Sequence, residues 1–543
     1  MQKKSIYFLI AGLAVAWAVD FLFYKKPVGI SVGIWFIVAV LALAVTGWMR
    51  GIRPKPPTLI LSLFTIAFAS APFFRLEPFT RFTGIGGALF GLMLLTSTYK
   101  DAQWPWFRLS DYIVRLFLLT AAVFWRAWEM IFPPKPKAVV DDSEAAALAA
   151  EPPAKNRAVW PVLRGILLAL PVLAVFAALL AAADPIFERG LNDFLNLFKI
   201  EKLPEIFFRG IYVLFFAYLF TGALLHAILP KREYARPDPL KPQVTPFLGF
   251  TEASIVLGSV NALFAMFVFI QFRYFFGGQA NISELGYTYS EYARRGFGEL
   301  ITVAIFSLLL YLALSTATRK DNPGQNRLFS TLSVLIFAQV LIILVSTFQR
   351  LALYEAAYGF SRLRTYTHLF IPWLGALLLI VMILEIIRRQ GFFPLALLTF
   401  AAGFTITCFA FNIDGFIARH NIQRAILSQQ EGYQLDFEYL TELSNDVVPA
   451  LVDGYNTTLE APGSTHDLLG AALACRMYAF RHQEPQPWQT FNLGDYQAIL
   501  LLNANHTEWD KYTLSFTAED YRGIAVHIGK EIHYCSNNNG FMD

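Results

Sequence analysis

About eleven apolar stretches in this chain are each long enough to cross a bilayer, the first running from Ile6 to Tyr24 and the last from Phe392 to Phe411. Some 20 apolar residues coil into a helix of roughly 30 Å, the thickness of the hydrocarbon layer. Inside that layer no water is available to the backbone, so each segment must satisfy its own N–H and C=O groups. The choice of folds therefore narrows to a helical bundle. With 56% hydrophobic residues, 15% charged residues and a mean hydropathy of +0.47, the composition agrees. The expected class is all-α: a polytopic membrane bundle of about eleven spans with a small, mostly helical C-terminal soluble region.

The spans are expected at 6–24, 28–49, 57–75, 81–98, 159–183, 206–229, 250–275, 297–317, 328–349, 367–387 and 392–411. The stretch Leu109 to Phe132 is a separate case. Its apolar centre, Leu116 to Trp125, is short and bracketed by Asp111, Arg115, Arg126 and Glu129, a pattern that fits a helix lying in the interface better than one crossing the membrane. Residues 133–158 read as a linker, because Pro133, Pro134, Pro136, Pro152 and Pro153 flank an Asp/Glu/Ala segment without apolar periodicity. The expected organisation is 1–132 as a four-span N-terminal unit with the interfacial helix, 133–158 as linker, 159–424 as a seven-span core and 425–543 as a soluble domain. Gly87 and Gly91 form a small-xxx-small pair that permits close helix packing. Although Ala14-Val15-Ala16 resembles a signal-peptide cleavage site, the apolar run continues past it to Tyr24, which favours a retained first helix.

Lys and Arg in the short loops set the orientation. One side collects Lys3, Lys4, Arg50, Arg53, Lys55, Lys231, Arg232, Arg236, Lys241, Arg319, Lys320, Arg327, Arg388 and Arg389; the other carries fewer. The positive-inside rule then places the N-terminus in the cytoplasm of a bacterial inner membrane, and an odd number of spans leaves the tail outside. In the tail, Leu435 to Leu459, Thr465 to His482 and Asn492 to Asn503 have helical spacing, Pro449 should break the first of these, and the last thirty residues alternate as a short hairpin would. Of the three cysteines, Cys408 falls in an apolar span and behaves as a small hydrophobe, while Cys475 and Cys535 would form a single bridge if the tail faces an oxidising compartment. A net charge of +4 implies no nucleic-acid footprint.

Three polar segments fall on the tail side of this topology. In Tyr289 to Leu300, Glu291, Arg295 and Glu299 follow i, i+4, i+8 spacing, and Arg294 stands beside them; they read as a salt-bridge ladder that fixes the helix, or as part of an anion or headgroup site. Arg350 to Arg364 carries Glu355, Arg362 and Arg364 around a Tyr358-Gly359 turn, as an interfacial anchor or a guanidinium grip on phosphate or carboxylate. Asn412 to Arg424 puts Asp414, Asn421 and Arg424 on one helical face, which serves either helix docking or a polar cluster. Within or near the spans, Asp20, Glu252, Asn261, Gln271, Gln339 and Glu385 are costly in hydrocarbon and are candidates by position, with interhelical hydrogen bonding as the plain account. No Walker A loop, GxGxxG, HExxH, GxSxG or CxxC occurs, and His527, His533 and Cys535 lack a fourth ligand for zinc. No cofactor and no metal are expected.

At these same segments the chain resembles a bacterial family of polytopic membrane proteins known only as a domain of unknown function. The likeness is carried by Arg164-Gly165, Ala183-Asp184-Pro185 and Phe187, and by Glu252, Leu257, Asn261, Phe264, Gln271, Tyr274 and Phe276-Gly277-Gly278. It continues through the EYARRGF block at Glu291 to Phe297 with Glu299-Leu300, then Tyr358-Gly359, Leu363-Arg364, Asn412, Asp414, Asn421, Arg424, Leu443-Ser444, Asp446 and Pro449 to Leu451. It covers roughly residues 160 to 500 and implies a multi-span bacterial inner-membrane protein with nothing catalytic.

The leading expectation is a non-enzymatic protein that handles a solute or lipid, or senses the envelope, through an outward polar cluster of Glu252, Glu291, Arg294, Arg295, Glu299, Arg362, Arg364, Asp414 and Arg424. The alternatives are a membrane-embedded enzyme acting on a lipid-linked or phosphate-bearing substrate, with Glu291 or Asp414 as acid/base, and a scaffold or regulatory protein whose tail meets a protein partner. Membrane lipids are the partners expected in every case.

Overall fold

The computed structural model describes residues 6–131, 203–229, 246–275, 297–427, 435–460, 463–516, 524–529 and 531–535, with parts of 169–190. The membrane-length helices are α1 (Ile6–Phe23), α2 (Ile30–Trp48), α3 (Pro56–Ala69) continued by the short α4 (Ala71–Phe74), and α5 (Pro78–Thr98). After α6 (Leu109–Ile131) come α7 (Leu203–Ile228), α8 (Phe250–Phe275), α9 (Phe297–Ala317), α10 (Pro323–Tyr358), α11 (Arg362–Ile386) and α12 (Phe393–Ala410). Among the described residues, ten helices are long and apolar enough to cross a membrane. The further span expected at 159–183 lies mostly outside the described residues. Leu, Ile, Val and Phe cover lipid-facing and buried helix faces alike, because hydrocarbon on the outside removes the polar face that a water-soluble helix carries.

The direction of each helix follows from named contacts. Ile30 N–H, at the start of α2, donates to Phe491 O of the tail at 2.9 Å, and Leu76 N–H, just before α5, donates to Asp446 of the tail at 2.8 Å. Those turns therefore lie at the tail face, and α5 runs away from it. α7 is antiparallel to α1: Arg209 pairs with Asp20 at 2.5 Å near one end, and Thr221 Oγ1 donates to Phe8 O at 3.4 Å near the other. So α7 also runs away from the tail face, and the chain between α5 and α7 must make a net return across the bundle.

α6 starts that return. Its first turns sit at the N-terminal face, where Tyr112 Oη donates to Trp104 O at 2.7 Å and Trp104 Nε1 to Pro57 O at 3.2 Å. It then runs antiparallel along α7, with Leu119 beside Ala223 and Leu224 and with Phe124 O accepting from Tyr218 Oη at 2.5 Å. The sequence pattern suggested a helix lying flat in the interface, whereas the structure stands it lengthwise against α7. Two local features make this tolerable. Arg115 stacks over the Phe107 ring at 4.1 Å, and Asp111 accepts from Arg108 N–H at 2.9 Å, so charges that looked interfacial are used within the helix start. At Gly222 the helices nearly touch: a Cβ there would stand 1.9 Å from Val123 O.

In the second half, α8, α9, α10, α11 and α12 pack around a core that includes Leu257, Ala304, Phe337, Val340, Leu351 and Leu378. α10 rises to the tail face, turns at Gly359 (φ 78°) and hands over to α11. A separate core builds the tail from α13 (Ile413–Leu427), α14 (Phe437–Glu442), α15 (Val448–Thr457), α16 (Ser464–His482), α17 (Leu493–Ala504) and α18 (His506–Trp509). Ile413, Ile417 and Ile422 already belong to this core, so tail packing begins directly after α12. Pro449 occupies the first turn of α15, the one helical place where its missing N–H costs nothing, and the chain breaks just ahead of it. An antiparallel sheet closes the tail: β1 (Leu514–Phe516), β2 (Ile524–Ile528) and β3 (Glu531–Tyr534), with Val526 opposite Leu514 on one side and His533 on the other. β2 and β3 form the hairpin expected from alternation, and β1 adds an edge that the sequence reading did not contain. A disulfide between Cys475 of α16 and Cys535 after β3 joins sheet to helices.

Candidate functional site

The polar residues of the tail face fall into two groups that differ in how fully they are used. The first group docks the tail. Asp414, at the start of α13, is fully buried and takes a two-point grip from Arg362 at the start of α11, with Nε to Oδ1 at 2.8 Å and Nη2 to Oδ2 at 2.6 Å. Ser444 N–H adds a third donor to Oδ2 at 2.8 Å, and Arg362 N–H donates to Tyr439 Oη at 2.8 Å. A planar guanidinium and a carboxylate match edge to edge, which makes this buried pair specific as well as strong. Asp414 therefore has no oxygen left for acid/base work.

Asp446 plays the matching part toward the N-terminal half. Its Oδ2 accepts from Leu76 N–H at 2.8 Å, and its backbone O accepts from Asn412 Nδ2 at 2.9 Å. Burial pushes its carboxyl up to about 6, with Asp414 and Asp495 pushing the same way against the Leu76 N–H and the Arg75 charge. Asp495, bonded to Asn445 at 2.8 Å, is raised by burial too. Around this pair, Arg75 donates to Phe409 O and Ala410 O, both at 3.1 Å, and Asn492 Nδ2 donates to Pro72 O at 2.5 Å. Glu77 caps α5 with both oxygens, accepting from Phe79 N–H at 2.9 Å and Thr80 N–H at 2.7 Å. Deeper in the tail, the fully buried Arg476 spreads its guanidinium over Leu440 O and Leu443 O at 3.0 Å each, and burial lowers it to about 10.

The other arginines predicted for the site finish helix ends. Arg364 donates to Gly359 O at 2.6 Å and Tyr358 O at 3.3 Å and lies 4.1 Å over the Tyr354 ring, while Arg424 reaches Ala357 O at 2.6 Å. Both cover the carbonyls at the end of α10, where the helix dipole favours cations. Asn421 clasps the turn after it, taking Phe360 N–H at 2.8 Å and giving to Phe360 O at 2.9 Å. Arg362, Arg364, Asp414 and Arg424 are thus brought to one end of the bundle, as helix caps and clasps. Glu252 does not join them: it lies at the opposite face, exposed, and caps its own helix through Gly249 N–H at 2.9 Å. Its place in the cluster is corrected, because α8 rises from the N-terminal face, where Leu248 pairs with Thr318. Glu299 is exposed in the first turn of α9. Glu291, Arg294 and Arg295 lie outside the described residues.

The second group lines a cleft of about 430 Å³ between α10, α11, the end of α12 and the start of α13. Phe360, Leu369, Phe411, Phe416, Ala352 and Ala356 give it apolar walls, and Glu355 and His368 supply its polar corner together with Thr365. His368 Nδ1 stands 2.8 Å from Glu355 Oε2, and the imidazole packs edge-on to Phe348 at 4.1 Å. Glu355 is only 3% exposed, yet its Oε1 has no hydrogen-bond partner. The sequence reading named Glu355 only as part of its segment and missed His368; the available signal was an ionisable side chain inside an apolar run, less than two turns into α11.

Of the remaining in-membrane candidates, Asp20, Glu385, Asn261 and Gln271 have hydrogen-bond partners. Asp20 is held by Arg209 and by the Tyr212 hydroxyl. Glu385 accepts from Ser330 Oγ at 2.6 Å, Gln390 Nε2 at 2.5 Å and the Tyr311 hydroxyl. Asn261 donates to Leu332 O at 3.0 Å, and Gln271 accepts from Ser346 Oγ at 2.9 Å, both across the α8–α10 contact. Gln339 is buried in α10.

Among the described residues, ten membrane-length helices, capped at one face by a tail with its own core, define a multi-pass integral membrane protein. More particularly, the chain belongs to the family of a domain of unknown function (DUF4153), whose model matches residues 58–454. That match reaches further toward the N-terminus than the resemblance in the sequence suggested, taking in α3 and α5, and stops within α15 of the tail. No curated protein and no solved structure matches the chain.

Proposed function

We propose that this is a non-enzymatic membrane protein that takes a lipid-like amphiphile into the cleft between α10, α11 and α13. The observation that carries this reading is the cleft itself: about 430 Å³, walled by Phe360, Leu369, Phe411 and Phe416, with one carboxylate–imidazole pair at its corner. Ligand sites in proteins are typically apolar hollows with a few placed polar groups. Its position, where α11 and α12 meet the tail, suits a molecule with one end in lipid and one in the polar layer.

In this reading the N-terminal face is cytoplasmic and the tail lies outside, in a bacterial inner membrane. Arg50, Arg53, Lys55, Arg319, Lys320, Arg327, Arg388 and Arg389 crowd the N-terminal face. By the positive-inside rule this crowding supports a cytoplasmic N-terminal face. The Cys475–Cys535 bridge supports an oxidising compartment for the tail. The tail's exposed Trp488 lies 6.2 Å from Phe21 at the end of α1, as a headgroup-level anchor would.

Photocrosslinking tests this reading. A lipid carrying a diazirine near its headgroup should label residues 352–369 and 411–416 well above the other lipid-facing helices. Labelling spread evenly over the bundle would remove the reading.

A further inference from the structure

We infer that the cleft selects an amphiphile with an ammonium head group, a statement that rests on the amphiphile-binding reading above. The starting point is Glu355 Oε1, buried and without a hydrogen-bond partner, at a corner of a hollow otherwise walled by phenylalanine, leucine and alanine. A carboxylate oxygen only accepts hydrogen bonds, so what it lacks is a donor. Leaving a buried acceptor unmade is costly, and more so when it is charged.

Three arginines of the tail face are committed elsewhere. Arg362 is locked onto Asp414, and Arg364 and Arg424 cap the end of α10. His368 already spends Nδ1 on the other oxygen, Oε2, at 2.8 Å. Whether that imidazole is neutral or charged, Oε1 still points to a missing donor.

The walls agree with a cation. Phe360, Phe411 and Phe416 line the hollow, and the rings of Phe360 and Phe416 meet edge to face at 5.2 Å. Aromatic faces attract an ammonium group, and the more so away from water. An alkyl chain attached to it would leave along Leu369 and Ala356 toward the lipid. A carboxylate or phosphate head in the same corner would meet Glu355 as a like charge, with nothing to offer Oε1.

The experiment compares head groups at constant chain length. Tetradecylamine, tetradecanol and tetradecanoate are titrated calorimetrically into the full-length protein in nonionic micelles at neutral pH. The expected order places the amine at least about tenfold tighter than the alcohol, with the carboxylate weakest. Equal binding of amine and alcohol overturns the ammonium assignment and needs no variant to do so. Glu355→Gln should bring the amine to the level of the alcohol, and a gap that persists in this variant also overturns the assignment. Ala356→Trp, which fills the mouth of the cleft without touching Glu355, should weaken all three ligands. If it weakens none, the cleft is not the binding place, and the amphiphile reading falls with the inference.

Discussion

Two buried glutamates mark opposite ends of the α10–α11 pair, and they are treated very differently. At the N-terminal face Glu385 of α11 collects donors from α9 (Tyr311), α10 (Ser330) and the turn ahead of α12 (Gln390), so three elements converge on one carboxylate. At the tail face Glu355 of α10 has His368 alone and keeps Oε1 unpaired beside a hollow. Burial is nearly the same: Glu385 is 1% and Glu355 3% exposed. What differs is satisfaction. A saturated buried carboxylate ties helices together, and removing it strands its donors; an unsaturated one keeps an acceptor for something the chain does not supply. Asp414 belongs with Glu385, and Asp446 stands between the two kinds.

The strongest test of this division is Asp414→Ala. It abandons the Arg362 guanidinium and the Ser444 N–H together, and breaking one side of a buried ion pair costs about 3–5 kcal/mol. Chemical denaturation in micelles should show that loss, with earlier proteolysis between α12 and the tail. A cost below about 1 kcal/mol would move Asp414 out of the saturated class. Glu385→Ala comes next, at about 2–4 kcal/mol, because its donors are stranded where water is scarce. Its effect should appear as a lower melting temperature of the membrane bundle with the tail still docked.

Asp446 supplies a test by pH. When docked it holds its proton up to about 6, against an ordinary value of 3.8. The docked state therefore binds the proton more tightly, so docking is strongest below about pH 3.8 and weakens as pH rises through about 6. Asp495 is raised as well and adds in the same direction. Asp446 alone accounts for a loss of about 3 kcal/mol across that window, and Asp446→Asn, which keeps an acceptor for Leu76 N–H, should remove that share and leave the smaller slope of Asp495. Tail release followed by limited proteolysis from pH 4 to 7 measures the slope; a rise in protection with pH contradicts the assignment.

The membrane spans were legible because hydrocarbon leaves a chain few alternatives, and a run of apolar residues is a one-dimensional signal. Arg362 and Asp414 could be singled out for a similar reason, as charges at span ends must meet protein or water. Their partnership could not be read, since it joins α11 to α13 across a whole helix. Asp446 is harder still: it accepts from the backbone of Leu76, 370 positions away, and a backbone N–H has no sequence signature. Glu355 and His368 are 13 positions apart with the Gly359 turn between them, and only the hairpin of α10 and α11 makes them neighbours. α6 reads as interfacial because four charges bracket its short apolar centre; in the fold Arg115 and Asp111 are used locally and Gly222 admits the helix lengthwise against α7.

The smallest expected effect is the most discriminating. Glu355→Gln replaces a carboxylate by an amide of the same shape, and one end of that amide can still pair with His368 Nδ1, since either its oxygen accepts or its nitrogen donates. The other end sits where Oε1 had no partner, so no existing donor loses its acceptor, and the buried charge is gone at the cost of an amide N–H facing the hollow. Its stability should stay within about 1 kcal/mol of the parent and could rise slightly, whereas Glu385→Gln must turn an amide N–H toward donors that already surround it and should lose more. Melting curves of the two variants side by side decide the matter. Equal losses would mean that Glu355 is as structural as Glu385, and that its unpaired oxygen carries no vacancy for a ligand.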